Sequence, residues 1–198
     1  MARLPLNKAT LTGKKRDLST YRRFLPSLDL KRRQLLEARR QSRAALDDLL
    51  AREARLKRRI GEDLPMLSNR RVRVEGLVRV ADVRLGEANV AGLRVPVLEG
   101  VEIARAPYGL LARPHWVDRA VERLEAALRL ALAVRVERAR LERIEAALRT
   151  VTQRVNLFEK RLIPETEAEI ARISIALEDA ERAGVVRAKV AKRKAGAR

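Results

Sequence analysis

The chain has no cysteine, one histidine and only two Phe, two Tyr and one Trp in 198 residues. Without cysteine there is no disulfide framework and no thiol chemistry. With His115 alone, neither a histidine-based metal cluster nor a Ser-His-acid triad has anything to build on. Aromatic side chains supply much of the buried area of a compact core, so their scarcity favours thin helical packing over a ball. No apolar run approaches the roughly 20 residues that cross a bilayer, and the first residues lack the continuous apolar stretch of a secretory signal. The expected setting is the cytoplasm. A glycine-rich phosphate loop is missing too: Leu11-Thr12-Gly13-Lys14-Lys15 lacks the first glycine of a P-loop and the strand before it. The acid pairs Asp47-Asp48 and Glu62-Asp63 read as solvated helix charges. The expectation is a chain that is not an enzyme by itself, with no cofactor and no metal.

What the chain has in excess is positive charge, a formal +19. Such a charge draws a protein toward nucleic acid, anionic lipid or an acidic protein surface. Arg and Lys are mixed with Glu along both helical stretches, not gathered on one face with aromatics for stacking. On charge alone, a basic coiled-coil hairpin that binds nucleic acid or an acidic protein scaffold stays open, as does a self-associating coiled-coil tether.

The second excess is periodicity. Val134, Leu141, Leu148, Val155 and Leu162 recur every seventh residue, and Ile144, Val151 and Phe158 each follow one of them by three. This a/d pattern marks a coiled-coil seam, which must find a partner helix of comparable length. Ile170, Ile173 and Leu177 continue the stripe past Pro164, where the helix is expected to bend or loosen its hydrogen bonds. In the N-terminal part, Leu28, Leu35, Leu49 and Leu56 are spaced by multiples of seven, with Leu46 and Ile60 at the alternate positions. Thr10 or Thr12 is the expected cap of the first helix, and Pro26 is expected to break or kink it at Leu25, with Ser27 or Asp29 capping the next.

Between these stretches the period drops to two. Val72, Val74, Val78 and Val80 alternate with Arg71, Arg73, Arg79 and Ala81; a second β-branched set follows at Val90, Val95, Val97, Val101 and Ile103. Residues 71–103 therefore read as a small antiparallel hairpin or meander, with Gly86, Glu87 and Asn89 between the two sets. The expected organisation is an N-terminal coiled-coil helix over 1–65, a β-hairpin insert and linker over 66–116, a C-terminal coiled-coil helix over 117–183 and a basic tail over 184–198. His115-Trp116 would anchor the linker against the last helix. The fold class is mainly α: a long antiparallel two-helix coiled coil of the N- and C-terminal segments with a small β-hairpin in the middle.

Several motifs resemble the D subunit of the V-type and A-type rotary ATPases, in its bacterial form. Near the N-terminus these are Leu4-Pro5-Leu6-Asn7-Lys8 and Leu25-Pro26-Ser27-Leu28-Asp29-Leu30-Lys31-Arg32-Arg33-Gln34-Leu35. In the insert, Val90-Ala91-Gly92-Leu93-Arg94-Val95-Pro96 is similar to the family's element around Gly92 and Pro96. Most specific is Arg154-Val155-Asn156-Leu157-Phe158-Glu159, followed by Ile163-Pro164, Ile170, Ile173 and Leu177. The chain departs in Leu157-Phe158, where the family commonly has Ala-Leu, and in Asp179-Ala180.

The resemblance implies a central rotor stalk that transmits torque between a catalytic hexamer and a membrane ring. Its implied partners are the A and B subunits of the hexamer, the small F subunit of the stalk and the membrane-ring adaptor, with no nucleic acid. Its implied place is peripheral on the inner (plasma) membrane as part of the complex. Asn156, Pro164, Gly92 and Pro96 are the family-motif residues.

Overall fold

The computed structural model describes residues 5–68, 76–107 and 116–195. It is mainly α, with long N- and C-terminal helical stretches and a two-stranded antiparallel hairpin between them. The N-terminal stretch is α1 (Lys8–Asp63). The hairpin consists of β1 (Val78–Val90) and β2 (Leu93–Arg105). The C-terminal stretch comprises α2 (Trp116–Leu157), a π-helical turn (Phe158–Leu162) and α3 (Ile163–Ala195). Two compact units emerge, one of residues 1–32 with 150–198 and the other of residues 33–149.

Helix α1 begins at neither of the expected threonines. Asn7 caps it: its Oδ1 accepts from the Thr10 N–H at 2.7 Å, and its carbonyl accepts the first helical bond from Leu11 at 3.1 Å. This satisfies one of the donors that a helix start otherwise leaves orphaned. The expected break at Pro26 does not occur, since α1 runs through it. An interior proline costs about 3 kcal/mol through its missing donor and ring clash. Contacts on both sides hold the axis against that cost. Tyr21 packs edge-on against Phe158, and Leu25 and Leu28 are half-buried around the exposed proline. Ser27 does not cap a new helix; its hydroxyl donates back to the Phe24 carbonyl at 2.8 Å. Asp29 forms an ion pair with Arg32 at 2.6 Å.

At the other end, Gly184 does not stop α3, which continues to Ala195. One interior glycine costs only about 1 kcal/mol, and the Ala, Arg and Lys residues around it are strong helix formers. The expectation of a tail distinct from the helix is thus corrected through Ala195.

In the 33–149 unit, the helices run antiparallel: Asp63 pairs with Arg123, and Ser42 bonds Glu137. Leu46, Val134 and Leu141 form a buried cluster there, covered by Leu49 and Leu50. The other unit is antiparallel as well, with Tyr21 on Phe158 and Lys14 on Glu169.

The hairpin turn also falls elsewhere than expected. Gly86, Glu87 and Asn89 lie within β1, and the chain reverses at Ala91-Gly92, whose φ angles are +51° and +76°. Two central residues at positive φ match the twist of the flanking strands in a two-residue loop. Asn89 Oδ1 accepts from the Gly92 N–H at 2.8 Å and braces the turn. Gly76, at φ +81°, makes the bend that leads into β1. Register shifts near Ala81 and Glu99 interrupt the ladder. Residues 71–75, the start of the expected first strand, lie outside the described residues.

Candidate functional site

The candidate site lies in the seams that the helices bury within each unit and in the charged faces outside them. In the 33–149 unit the seam buries Leu35, Leu46, Val134, Leu141, Ile144 and Leu148, while Leu49, Leu56 and Ile60 are half-buried. Burying each such side chain contributes on the order of 1.5–3 kcal/mol.

One layer of this seam is polar. Ser42 stands in the same sevenfold register as Leu35 and Leu49 and is 3% exposed. Its hydroxyl donates to Glu137 Oε1 at 2.5 Å, and Glu137 Oε2 lies 3.7 Å from the Arg140 guanidinium. The Nε of Arg140 is buried without a hydrogen-bond partner. Sequence reasoning passed over Ser42 and Glu137 because neither is apolar; their heptad positions were the available signal.

The other unit buries Val151, Val155 and Ile173 and half-buries Leu28, Phe158, Leu162, Ile170 and Leu177. None of the expected seam residues is exposed. The sevenfold repeat Leu141, Leu148, Val155, Leu162 would next place Glu169 and Ala176 in the seam, yet Ile170 and Leu177 sit one residue later. The π turn takes up that step. The Ile163 N–H bonds the Phe158 carbonyl, five residues back, so the turn encloses one residue more than an α turn. Pro164, which follows at once and is exposed, has no N–H to restore the α pattern. Thr166, 5% exposed, donates its hydroxyl to the Leu162 carbonyl at 2.6 Å. Thr166 was also missed, as a polar residue in an apolar stripe. Asn156 is half-buried on the same stretch.

Ion pairs flank this seam. Lys14 Nζ lies 2.7 Å from Glu169, and the hydrogen bond it donates there holds its ammonium above the ordinary lysine pKa. Arg22 pairs with Glu167 at 2.6 Å, both well exposed, so this second pair contributes little to stability.

The hairpin rests on α2. A two-stranded sheet is marginal alone; here Leu77 joins Val117 and Val121 in a buried cluster covered by Val78 and Trp116. Arg129 donates to the Val101 carbonyl at 3.2 Å, and Arg105 forms an ion pair with Glu125. The bond from Arg105 holds the Glu125 carboxyl below the usual carboxylate range, with the positive charges of Arg105 and Arg129 adding to it. Gly92 forms the turn, and Pro96 is half-buried opposite Glu87. His115 lies outside the described residues.

A surface groove of about 770 Å³ runs along α1 between Arg33 and Arg43 with Glu145 of α2 at its side. Among the described residues, no helix is long and apolar enough to cross a membrane, and no group of three or more His, Cys, Asp or Glu could hold a metal ion.

Residues 10–193 match the family described as the D subunit of ATP synthase. A protein of Borreliella burgdorferi, named as the D subunit of a V-type ATP synthase, is 30% identical over 97% of this chain and 95% of its own length. One of the same name from Chlamydia muridarum is 32% identical over 98% of this chain and 96% of its own. A third, from Chlamydia abortus, is 41% identical over 54% of this chain and 51% of its own.

Proposed function

The chain belongs to the family of ATP synthase D subunits, and from that premise we propose that it is the central stalk component of a V/A-type rotary ATPase or ATP synthase, transmitting torque between a catalytic hexamer and a membrane ring. The observation that supports this most is the family match over residues 10–193 of a chain whose main feature is a buried helix-to-helix seam and not a catalytic site. A torque-bearing part needs two things: resistance to twisting, and an outer surface that slides. Close-packed layers such as Leu46 with Val134 and Leu141 resist relative movement because their side chains cannot reorganise without opening voids. Exposed arginines and lysines are held weakly in any one orientation, so a neighbouring surface can move past them.

In this reading the chain performs no chemistry itself. ATP hydrolysis in the hexamer of A and B subunits, or ion flow through the membrane ring, drives its rotation. The small F subunit of the stalk packs on its side, and the adaptor joins it to the ring. It is peripheral to the membrane, held there through the complex. The positive charge serves complementarity with acidic neighbours. The test is affinity purification of the tagged chain from native membranes. The expected result is co-purification of the A and B subunits at one copy of this chain per hexamer. Recovery without head subunits, or with nucleic acid in their place, would overturn the assignment.

A further inference from the structure

We propose that the arginine-lined groove on α1 is a docking surface for an acidic helical segment of a neighbouring subunit, an inference that rests on the stalk reading. Arg33, Leu36, Arg40 and Arg43 recur at helical spacing, so they share one face over roughly 15 Å at 1.5 Å per residue. Arg39 lines the same groove. Leu36 gives it an apolar floor and is 41% exposed. Arg39 and Arg40 have no carboxylate partner among the described residues, and Arg43 reaches only the exposed Asp47, at 3.8 Å.

The residue types select the occupant. Guanidinium groups match carboxylates in a two-point geometry that lysine cannot reproduce. A single-stranded nucleic acid fits poorly, because no aromatic side chain lines the groove to stack a base. A leucine floor flanked by arginines instead suits an amphipathic helix with one apolar ridge and acids beside it. Exposed ion pairs are individually weak, so the docking is a property of the assembled complex, where the effective concentration of the segment is high.

The absence of cysteine makes a direct test available. Leu36→Cys carries the only thiol of the chain and takes a maleimide photo-crosslinker; Arg40→Cys serves as a second attachment point. Each is incorporated into the full complex, illuminated, and the crosslinked peptide identified by mass spectrometry. The expected product joins Leu36→Cys to a segment of another subunit with acidic residues three or four positions apart. With Arg39→Glu and Arg40→Glu added, the yield at low salt should fall by about tenfold, as for the loss of a complementary charge pair. Arg135→Glu with Arg138→Glu, exposed on α2, should leave it unchanged. A product with a segment lacking acids, a product with nucleic acid, no product from either attachment point in an assembled complex, or a yield indifferent to the reversal would overturn the proposal. Failure of the unmodified chain to assemble at all would instead remove the stalk reading itself.

Discussion

Replacing Ser42 tests the polar layer of the seam. Ser42→Ala removes the hydroxyl of a residue that is 3% exposed, which donates to Glu137 Oε1 at 2.5 Å. Hydrogen bonds to charged groups are worth about 1.5–3 kcal/mol, and Ser→Ala changes the volume too little to open a cavity, so the expected loss lies in that range. Glu137→Leu should cost a similar amount, since it strands the serine hydroxyl and takes from Arg140 its carboxylate at 3.7 Å. The double variant Ser42→Leu/Glu137→Leu should recover to within about 1 kcal/mol of the parent, because a matched apolar layer needs no buried charge compensated. With Ser42→Leu, which costs at least as much as Ser42→Ala because it faces the Glu137 carboxylate, as the second single variant of the cycle, the coupling should exceed about 2 kcal/mol. The assay is urea unfolding of the full chain followed by circular dichroism at 222 nm. Additive single effects, or a double variant as weak as the sum of its parts, would refute the claim that the two side chains act as one layer. A stable double variant would mean that the layer is retained for alignment: serine and glutamate meet at only one axial offset, whereas leucines pair at several.

Three further outcomes follow from the same geometry. Ile144→Ala, at a fully buried position, should cost about 2–5 kcal/mol in the same assay, whereas Ile175→Ala, at a side chain 61% exposed, should cost under about 0.5 kcal/mol. The Glu125 carboxyl is held below its ordinary value in the folded state, so its contribution is complete above the unfolded carboxylate pKa of about 4.3 and is lost as pH falls through the lower folded value. Hydrogen exchange should show the hairpin loosening on α2 only below about pH 4, and Glu125→Gln should remove that dependence. Deleting Lys160, exposed within the π turn, should convert it to an α turn at a cost of about 1 kcal/mol or less. Deleting Glu142 from regular α2 should rotate every later seam residue by about 100° and cost several times more; thermal melts of the two deletions distinguish these cases.

The seam was legible because apolar side chains at sevenfold spacing can serve little else, and Leu35, Leu46 and Ile144 are buried where that spacing put them. Ser42 and Thr166 escaped notice because their burial depends on one hydrogen bond each, which no apolar pattern encodes. The break at Pro26 was inferred from a local rule; contacts such as Tyr21 on Phe158, far apart in sequence, overrode it. In the hairpin, Gly86 and Asn89 carry the marks of a turn yet belong to β1. A Cβ at position 86 would meet only the Glu99 side chain, whose carboxylate end can swing aside, so neither a turn nor packing requires the glycine there. The true reversal places an alanine at positive φ, a conformation its composition does not announce. The π turn left one trace, the extra residue between Leu162 and Ile170.

The most direct measurement compares ATP hydrolysis with ion transport in the reconstituted enzyme carrying Leu148→Asp. Leu148 is 7% exposed in the seam, and an aspartate there must either open the helix pair to water or be buried unpaired. A chain that transmits torque through this seam should leave hydrolysis running in the head while ion transport falls to background, with Arg138→Ala, on the exposed face, retaining both activities. Fully coupled transport by the Leu148→Asp enzyme would contradict the account.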